Sequence, residues 1–289
     1  MDLLPSIETL RAWVSGVRAR DETIGFVPTM GSLHEGHLAL VDAARLRADR
    51  VVVSVFVNPL QFGPEEDLAR YPRDEARDRR LAEGRGADAM FLPSTGEMYP
   101  AGASVRVVPG PSADRWEGAA RPGHFSGVLT VVAKLFNLVQ PDLAFFGQKD
   151  IQQAVLVRQM VRDLNFPVEV VVSPTVREPD GLALSSRNVY LSPEEREQAL
   201  ALSRALAAAH AAWCANERRA SMLEAVMREE LRVSPAVSVE YIAIVDSGNM
   251  EPVVEVTPAT AIAVAARVGK TRLIDNLVLQ QGLGTWNEG

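Results

Sequence analysis

Thr23-Ile24-Gly25-Phe26-Val27-Pro28-Thr29-Met30-Gly31-Ser32-Leu33-His34-Glu35-Gly36-His37 is the stretch on which the fold turns. Its opening residues are largely apolar and run to a proline, as in a short buried strand. Two glycines then punctuate a polar turn, and from His37 apolar residues return at helical spacing through residue 49. A second run follows, Val51-Val52-Val53-Ser54-Val55-Phe56-Val57, which suits a strand covered on both faces. Strand, turn, helix and strand in that order predict a βαβ unit with parallel strands.

The alternation continues on either side. Ser6 is placed to cap a first helix whose apolar face is Ile7, Leu10, Val14 and Val17. Helices are predicted over 74–84, 125–138 and 152–164, and strands over 89–92, 143–146 and 168–172. The fold class is therefore α/β, a Rossmann-like doubly wound parallel sheet. After residue 172 the grammar changes. Ser173-Pro174-Thr175 and Glu178-Pro179-Asp180-Gly181 are turn-rich and read as a boundary. Helices over 193–215 and 220–233 precede strands over 237–245, 261–266 and 272–279, which predicts a smaller C-terminal α+β domain. The expected domains are 1–174 and 175–289.

With 30 Lys and Arg against 37 Asp and Glu, the net charge is −7. Such a chain is a poor general partner for nucleic-acid phosphates. Anions must be met by local donors and helix ends. No apolar run approaches bilayer-spanning length, so no membrane partner is expected. Met1-Asp2-Leu3-Leu4-Pro5 lacks the basic and apolar regions of a secretory leader. The single cysteine, Cys214, lies in an Ala-rich helical stretch and reads as a small buried hydrophobe with no base beside it. A reducing, cytoplasmic setting is expected.

The chemistry concentrates where predicted strands end. Gly31 and Gly36 let backbone approach a ligand closely, and the following helix start presents N–H groups and a positive dipole end to phosphate. His34 and His37 stand at that start, where imidazoles can donate to oxygens that gain charge. A zinc site fits poorly, because His34-Glu35-Gly36-His37 lacks the helical His-Glu-x-x-His spacing and a third ligand nearby. The Gly-x-Gly-x-x-Gly dinucleotide loop is absent as well. Asn58-Pro59-Leu60-Gln61-Phe62-Gly63 ends the next strand, and by itself reads as a turn sooner than as a substrate contact. Phe146-Gly147-Gln148-Lys149-Asp150 ends a third, with Lys149 a point charge for phosphate and Asp150 an acceptor for ribose or a helix cap. Gln153 follows one turn into the helix. Leu184-Ser185-Ser186-Arg187-Asn188 suits a loop that closes over triphosphate. Arg121-Pro122-Gly123-His124-Phe125-Ser126-Gly127 is a further loop, with an Arg and a His to face an anion.

Taken in order, these segments resemble the pantoate–β-alanine ligase family. The resemblance rests on 27–37, Val57-Asn58-Pro59 with Gln61-Phe62, 121–125, Phe146-Gly147 with Lys149-Asp150, Ser185-Ser186-Arg187-Asn188 and Lys270-Thr271-Arg272-Leu273-Ile274-Asp275-Asn276, spread over nearly the whole chain. The histidine turn alone marks only the wider nucleotidylyltransferase superfamily.

The resemblance implies ATP-dependent joining of (R)-pantoate to β-alanine through a pantoyl adenylate, releasing AMP and pyrophosphate. It assigns ATP to Met30, Gly31, Ser32, Leu33, His34, Glu35, Gly36 and His37, to Gly147, Gln148, Lys149 and Asp150, and to Val176, Leu184, Ser185, Ser186 and Arg187. His37, His34 and Lys149 become the catalytic set, with His37 the proton donor. Gln61, Gln153 and Asn58 become the pantoate contacts, Gln61 lying also near β-alanine. Mg²⁺ is expected with the ATP, no protein metal site is assigned, and a homodimer through the first domain is implied. Leu184 stands where the family often has Met, and Gln148 where Glu is also frequent.

Overall fold

The apolar run of 23–28 becomes the middle of a sheet. Residues 1–63 and 68–283 are described in the computed structural model. They form two units, Met1–Gly147 with Leu156–Ser173, and Gln148–Val155 with the residues from Pro174 onward.

The first unit holds β1 (Asp2–Leu4), α1 (Ile7–Arg18), β2 (Ile24–Thr29), α2 (Glu35–Arg45), β3 (Arg50–Val55), α3 (Glu75–Gly84) and β4 (Ala89–Phe91). Two short helices follow, α4 (Thr95–Met98) and α5 (Glu117–Ala120), then α6 (His124–Val139), β5 (Leu143–Gly147), α7 (Ile151–Asp163) and β6 (Glu169–Ser173). The division between the units falls within α7.

The sheet is parallel throughout, in the order β1-β4-β3-β2-β5-β6. Ile24, Phe26 and Val27 in β2, and Val51, Val52 and Val53 in β3, are fully buried, as expected of strands covered on both faces. On one face α1 and α6 pack Leu10, Val14, Phe125, Leu129 and Phe136 against the sheet; on the other α2 packs Leu40, Val41 and Ala44. The chain winds outward from β2 through β3 and β4, then resumes at β5 on β2's other side. Its reversal point therefore lies between β2 and β5, where open α/β sheets bind ligands beyond the strands' carboxyl ends. The opposite, amino-terminal edge is closed by ion pairs of Arg50 with Glu22 and Asp88 and of Arg45 with Asp88. Arg50's hydrogen bond holds the Glu22 carboxyl down to about 2.

In the second unit α8 (Pro193–Cys214) and α9 (Ala220–Arg232) pack on an antiparallel sheet ordered β7 (Val237–Asp246), β8 (Thr260–Val268) and β9 (Thr271–Val278). Ser192 caps α8 in a capping box with Glu195, and Ser6 caps α1 with Thr9. No helix among the described residues is long and apolar enough to cross a membrane.

One expectation changes, and two features go beyond the sequence pattern. β1, three residues in parallel register with β4, has no counterpart among the predicted strands, because a strand so short carries no periodicity and forms only through pairing. Glu178–Gly181, turn-rich as expected, is the tip of a hairpin: Glu178 N–H donates to the Leu182 carbonyl at 2.8 Å, and Gly181 takes φ +94°. Cys214 is exposed, with Sγ 3.9 Å from Nδ1 of His210 one turn earlier. It lies on the outer face at the end of α8, so Ala-richness misled the burial reading.

Candidate active site

In the first unit the turn after β2 is a braced structure. Gly31 (φ +83°) and Ser32 (φ +53°) both take left-handed conformations, costly for serine and routine for glycine. A Cβ on Gly31 would stand 2.8 Å from Val55 Cγ1 and 3.0 Å from Asp78 Oδ2, so nothing larger fits. What holds Ser32 in place is Asp78 of α3. Its carboxylate, 1 % exposed, accepts the N–H groups of Ser32 (2.8 Å) and Leu33 (2.7 Å). Thr29 Oγ1 accepts the Gly31 N–H at 3.1 Å. Asp78 was not among the expected site residues. The signal was there, since Asp78 and Ala82 share the buried face of an otherwise charged helix, and an acid on such a face needs donors.

α2 starts at Glu35, two residues before the expected position, because His34 is its N-cap. The two imidazoles cap one helix end. His34 Nδ1 accepts the Gly36 N–H at 3.1 Å, and His37 Nδ1 accepts the His34 N–H at 3.4 Å, with ring centroids 4.1 Å apart. An accepting Nδ1 puts the hydrogen of each neutral ring on Nε2. This corrects the simple picture of an open helix terminus. The amides of Gly31, Ser32, Leu33, His34 and Gly36 already have acceptors inside the protein. The turn thus presents the positive end of the helix dipole, with Nε2 as the donor nitrogen of each neutral imidazole.

Asn58 caps the 3-10 turn Pro59–Gln61 and is 1 % exposed. Its Oδ1 accepts from Leu60 N–H (3.2 Å) and Tyr99 O–H (2.8 Å), while Nδ2 donates to Gln61 Oε1 and the Gly127 carbonyl, each at 3.1 Å. Those four bonds are all that an asparagine amide makes. Burial pushes the Tyr99 phenol up to about 12, so it remains a donor at neutral pH. Gln61 is held from several sides. Its Nε2 donates to Met30 Sδ at 2.9 Å, and its carbonyl receives His124 Nδ1 (2.8 Å) and Arg121 (3.2 Å). Arg121 and His124, expected to face an anion, both bond this carbonyl, with Glu117 3.6 Å from the guanidinium. Gly127 permits the arrangement, for a Cβ there would lie 2.1 Å from the Leu60 carbonyl oxygen. The first unit thus brings Met30, Asn58 and Gln61 together beside the histidine turn.

The remaining expected residues, Gly147 apart, belong to the second unit. Gln148–Asp150 form a 3-10 turn leading into α7, and Gln153 is half-buried. Val176 and Leu184 face each other across the hairpin, Leu184 N–H donating to the Val176 carbonyl at 3.0 Å. Inside it Arg177, 6 % exposed, makes a bidentate pair with Asp275 at 2.7 and 2.9 Å. Arg196 of α8 ties Glu178 to Asp180, and Asn188 donates to Glu178 at 2.6 Å and to the Ala183 carbonyl at 3.1 Å. Ser185 caps the 3-10 turn Ser186–Tyr190 by accepting the Arg187 N–H. Lys149 and Ser185 border one small cavity with Ala183, Leu273, Ile274 and Asp275.

Known proteins share this architecture. The pantoate-beta-alanine ligase family model matches residues 2–278. A pantothenate synthetase of Moorella thermoacetica is 53% identical over 97% of this chain and 99% of its own. That of Chloroflexus aggregans is 56% identical over 91% and 95%. The crystal structure of pantothenate synthetase from Thermus thermophilus superposes with a TM-score of 0.91 at 52% identity, covering 96% of this chain and 99% of that one. A pantoate-beta-alanine ligase from Francisella tularensis, complexed with beta-gamma ATP and beta-alanine, has a TM-score of 0.80 at 34% identity over 98% and 100%. With that match over nearly its full length, the chain belongs to the pantoate–β-alanine ligase family.

Proposed function

We propose that this enzyme makes pantothenate by joining pantoate to β-alanine at the expense of ATP, through a pantoyl-adenylate intermediate. The observation that carries the reading is the histidine turn: two imidazoles locked as Nε2–H donors, at a helix start, at the sheet's reversal point. The names of full-length relatives supply the substrates.

The first step needs no general base, since pantoate's carboxylate is ionised at neutral pH. One carboxylate oxygen attacks the α-phosphorus of ATP, and the bond to the leaving pyrophosphate breaks. Charge gathers on the phosphoryl oxygens, where His34, His37 and Lys149 stabilise it, with Ser185, Ser186 and Arg187 as further partners of the triphosphate. Met30–His37, Gly147–Asp150, Val176 and Leu184 complete the nucleotide contacts. In the second step the amine of β-alanine attacks the acyl carbon, AMP departs and the amine sheds a proton. Gln61 and Gln153 hold pantoate. Asn58, with its four bonds made inside the protein, serves by setting Gln61. Mg²⁺ bound to the nucleotide would offset part of its phosphate charge. No cluster of three His, Cys, Asp or Glu side chains that could hold a metal ion occurs among the described residues.

The test is release of pyrophosphate and AMP from ATP. Pantoate alone is expected to yield one pyrophosphate per site, and AMP turnover is expected only once β-alanine is added. Pyrophosphate release that requires a phosphomonoester acceptor would make the protein another nucleotidylyltransferase. Bound ATP with no pyrophosphate under any condition would make it a regulator.

We also propose a homodimer formed through the first unit. Its support is the segment that exposes Val105 (88 %) and Val108 (78 %) close together with little else to cover them. Light scattering is expected to give twice the chain mass, and Val105→Lys with Val108→Lys to give a monomer. A monomeric wild type rejects the dimer.

A further inference from the structure

Asn276 of β9 is 2 % exposed and lies 127 residues from Lys149, yet its side chain holds the turn that carries that lysine. Its Nδ2 donates to the carbonyls of Gln148 and Lys149, both at 2.9 Å, while its Oδ1 accepts from Gln148 Nε2 at 3.4 Å. The Gln148 carbonyl belongs to the peptide plane before Lys149 and the Lys149 carbonyl to the plane after it. Peptide planes are rigid, so fixing both fixes φ and ψ at Lys149 and the direction in which its Cβ leaves the backbone. Asn276 is itself anchored. Its N–H donates to Asp275 Oδ1 at 2.7 Å, and Asp275 receives the fork of Arg177 from the Val176–Leu184 hairpin.

We propose that Asn276 is a positioning residue for the adenylation step, aiming Lys149 through these two carbonyls. Asp275 and Arg177 brace it, so that the lysine turn and the hairpin bearing Val176 and Leu184 are set by one buried polar chain. The inference rests on the role proposed above for Lys149. It adds that the lysine's contribution depends on an amide that touches no substrate.

An amide in this position donates where a carboxylate of the same shape repels. Asn276→Asp keeps the volume and turns both bonds into oxygen–oxygen contacts, whereas Asn276→Ala simply removes them. Misplacing a catalytic group by about 1 Å costs on the order of 10²-fold in rate. Single-turnover pyrophosphate release from ATP and pantoate is therefore expected to fall by about 10²-fold in both variants. The attack of β-alanine on chemically prepared pantoyl adenylate should stay within about threefold of wild type, and thermal melting should confirm that each variant is folded. The deciding measurement is a double-mutant cycle with Lys149→Met. If Asn276 aims Lys149, the lysine substitution costs far less in the Asn276→Asp background than in the wild type. An equal cost in both backgrounds would reduce Asn276 to a structural residue, as would wild-type adenylation in Asn276→Asp. A Lys149→Met variant with wild-type adenylation would instead remove the lysine's role, and this inference with it.

Discussion

Lys149→Met is expected to slow adenylate formation by about 10³-fold, because it removes a full positive charge from a transition state that gathers negative charge on phosphoryl oxygens. Losing a neutral oxyanion donor already costs on the order of 10²–10³-fold, and a charged donor is worth more. Methionine keeps the unbranched stem, so the substitution tests charge rather than packing. The measurement is rapid-quench pyrophosphate release in a single turnover with saturating ATP and pantoate. A loss below about fivefold would take the lysine out of the reaction, whatever happened to ATP affinity. Lys149→Arg is expected to recover little. A broad planar fork cannot occupy the place of a compact ammonium, and the turn cannot shift to suit it because Asn276 holds its carbonyls.

His37→Ala is expected to lower the same rate by about 10²–10³-fold, but that variant alone confounds two roles. His37 Nδ1 accepts the His34 N–H as part of the helix cap, and Nε2 carries the hydrogen that an oxyanion would use. Asparagine and glutamine separate them. Asn places an oxygen near the position of Nδ1, so His37→Asn retains the cap acceptor while losing the Nε2 donor. Its stability should match wild type and its adenylation should be as poor as that of His37→Ala. Gln extends a donor toward the position of Nε2, so His37→Gln should recover part of the rate, with a stability loss of about 0.5–2 kcal/mol as for other N-cap losses. A fully active His37→Asn variant would make His37 a capping residue only and transfer the donor role to His34.

Much of the parallel sheet was legible because a buried strand and an amphipathic helix each leave a local signature. Val51, Val52 and Val53 could hardly be anything but a covered strand, and the turn at Gly31 announced the change to helical spacing at once. The positions of Met30–His37, Asn58–Gln61 and Gly147–Asp150 at strand ends followed from the same alternation. Specific roles were less accessible. Asn58 read as a turn sooner than as a contact, and only the folded chain shows its amide bonded to Gln61, Gly127, Leu60 and Tyr99. Arg121 and His124 looked suited to an anion, and only the folded chain shows both bonded to the Gln61 carbonyl.

Local sequence was enough to dictate the alternation of strand and helix, the two glycine-bearing turns, and the placing of histidines and lysine where strands give way to helices. These depend on residues within a few positions of one another, where steric limits and hydrophobic period act directly. Folding had to bring distant segments together before Asp78 could hold the amides of Ser32 and Leu33, Gly127 make room for Leu60, or Asn276 grip the carbonyls beside Lys149. Each of those partners lies 45 or more residues away in the chain. A hydrogen bond is specified by atoms a few ångströms apart, and periodicity says which face of an element is buried but not which donor it will meet there.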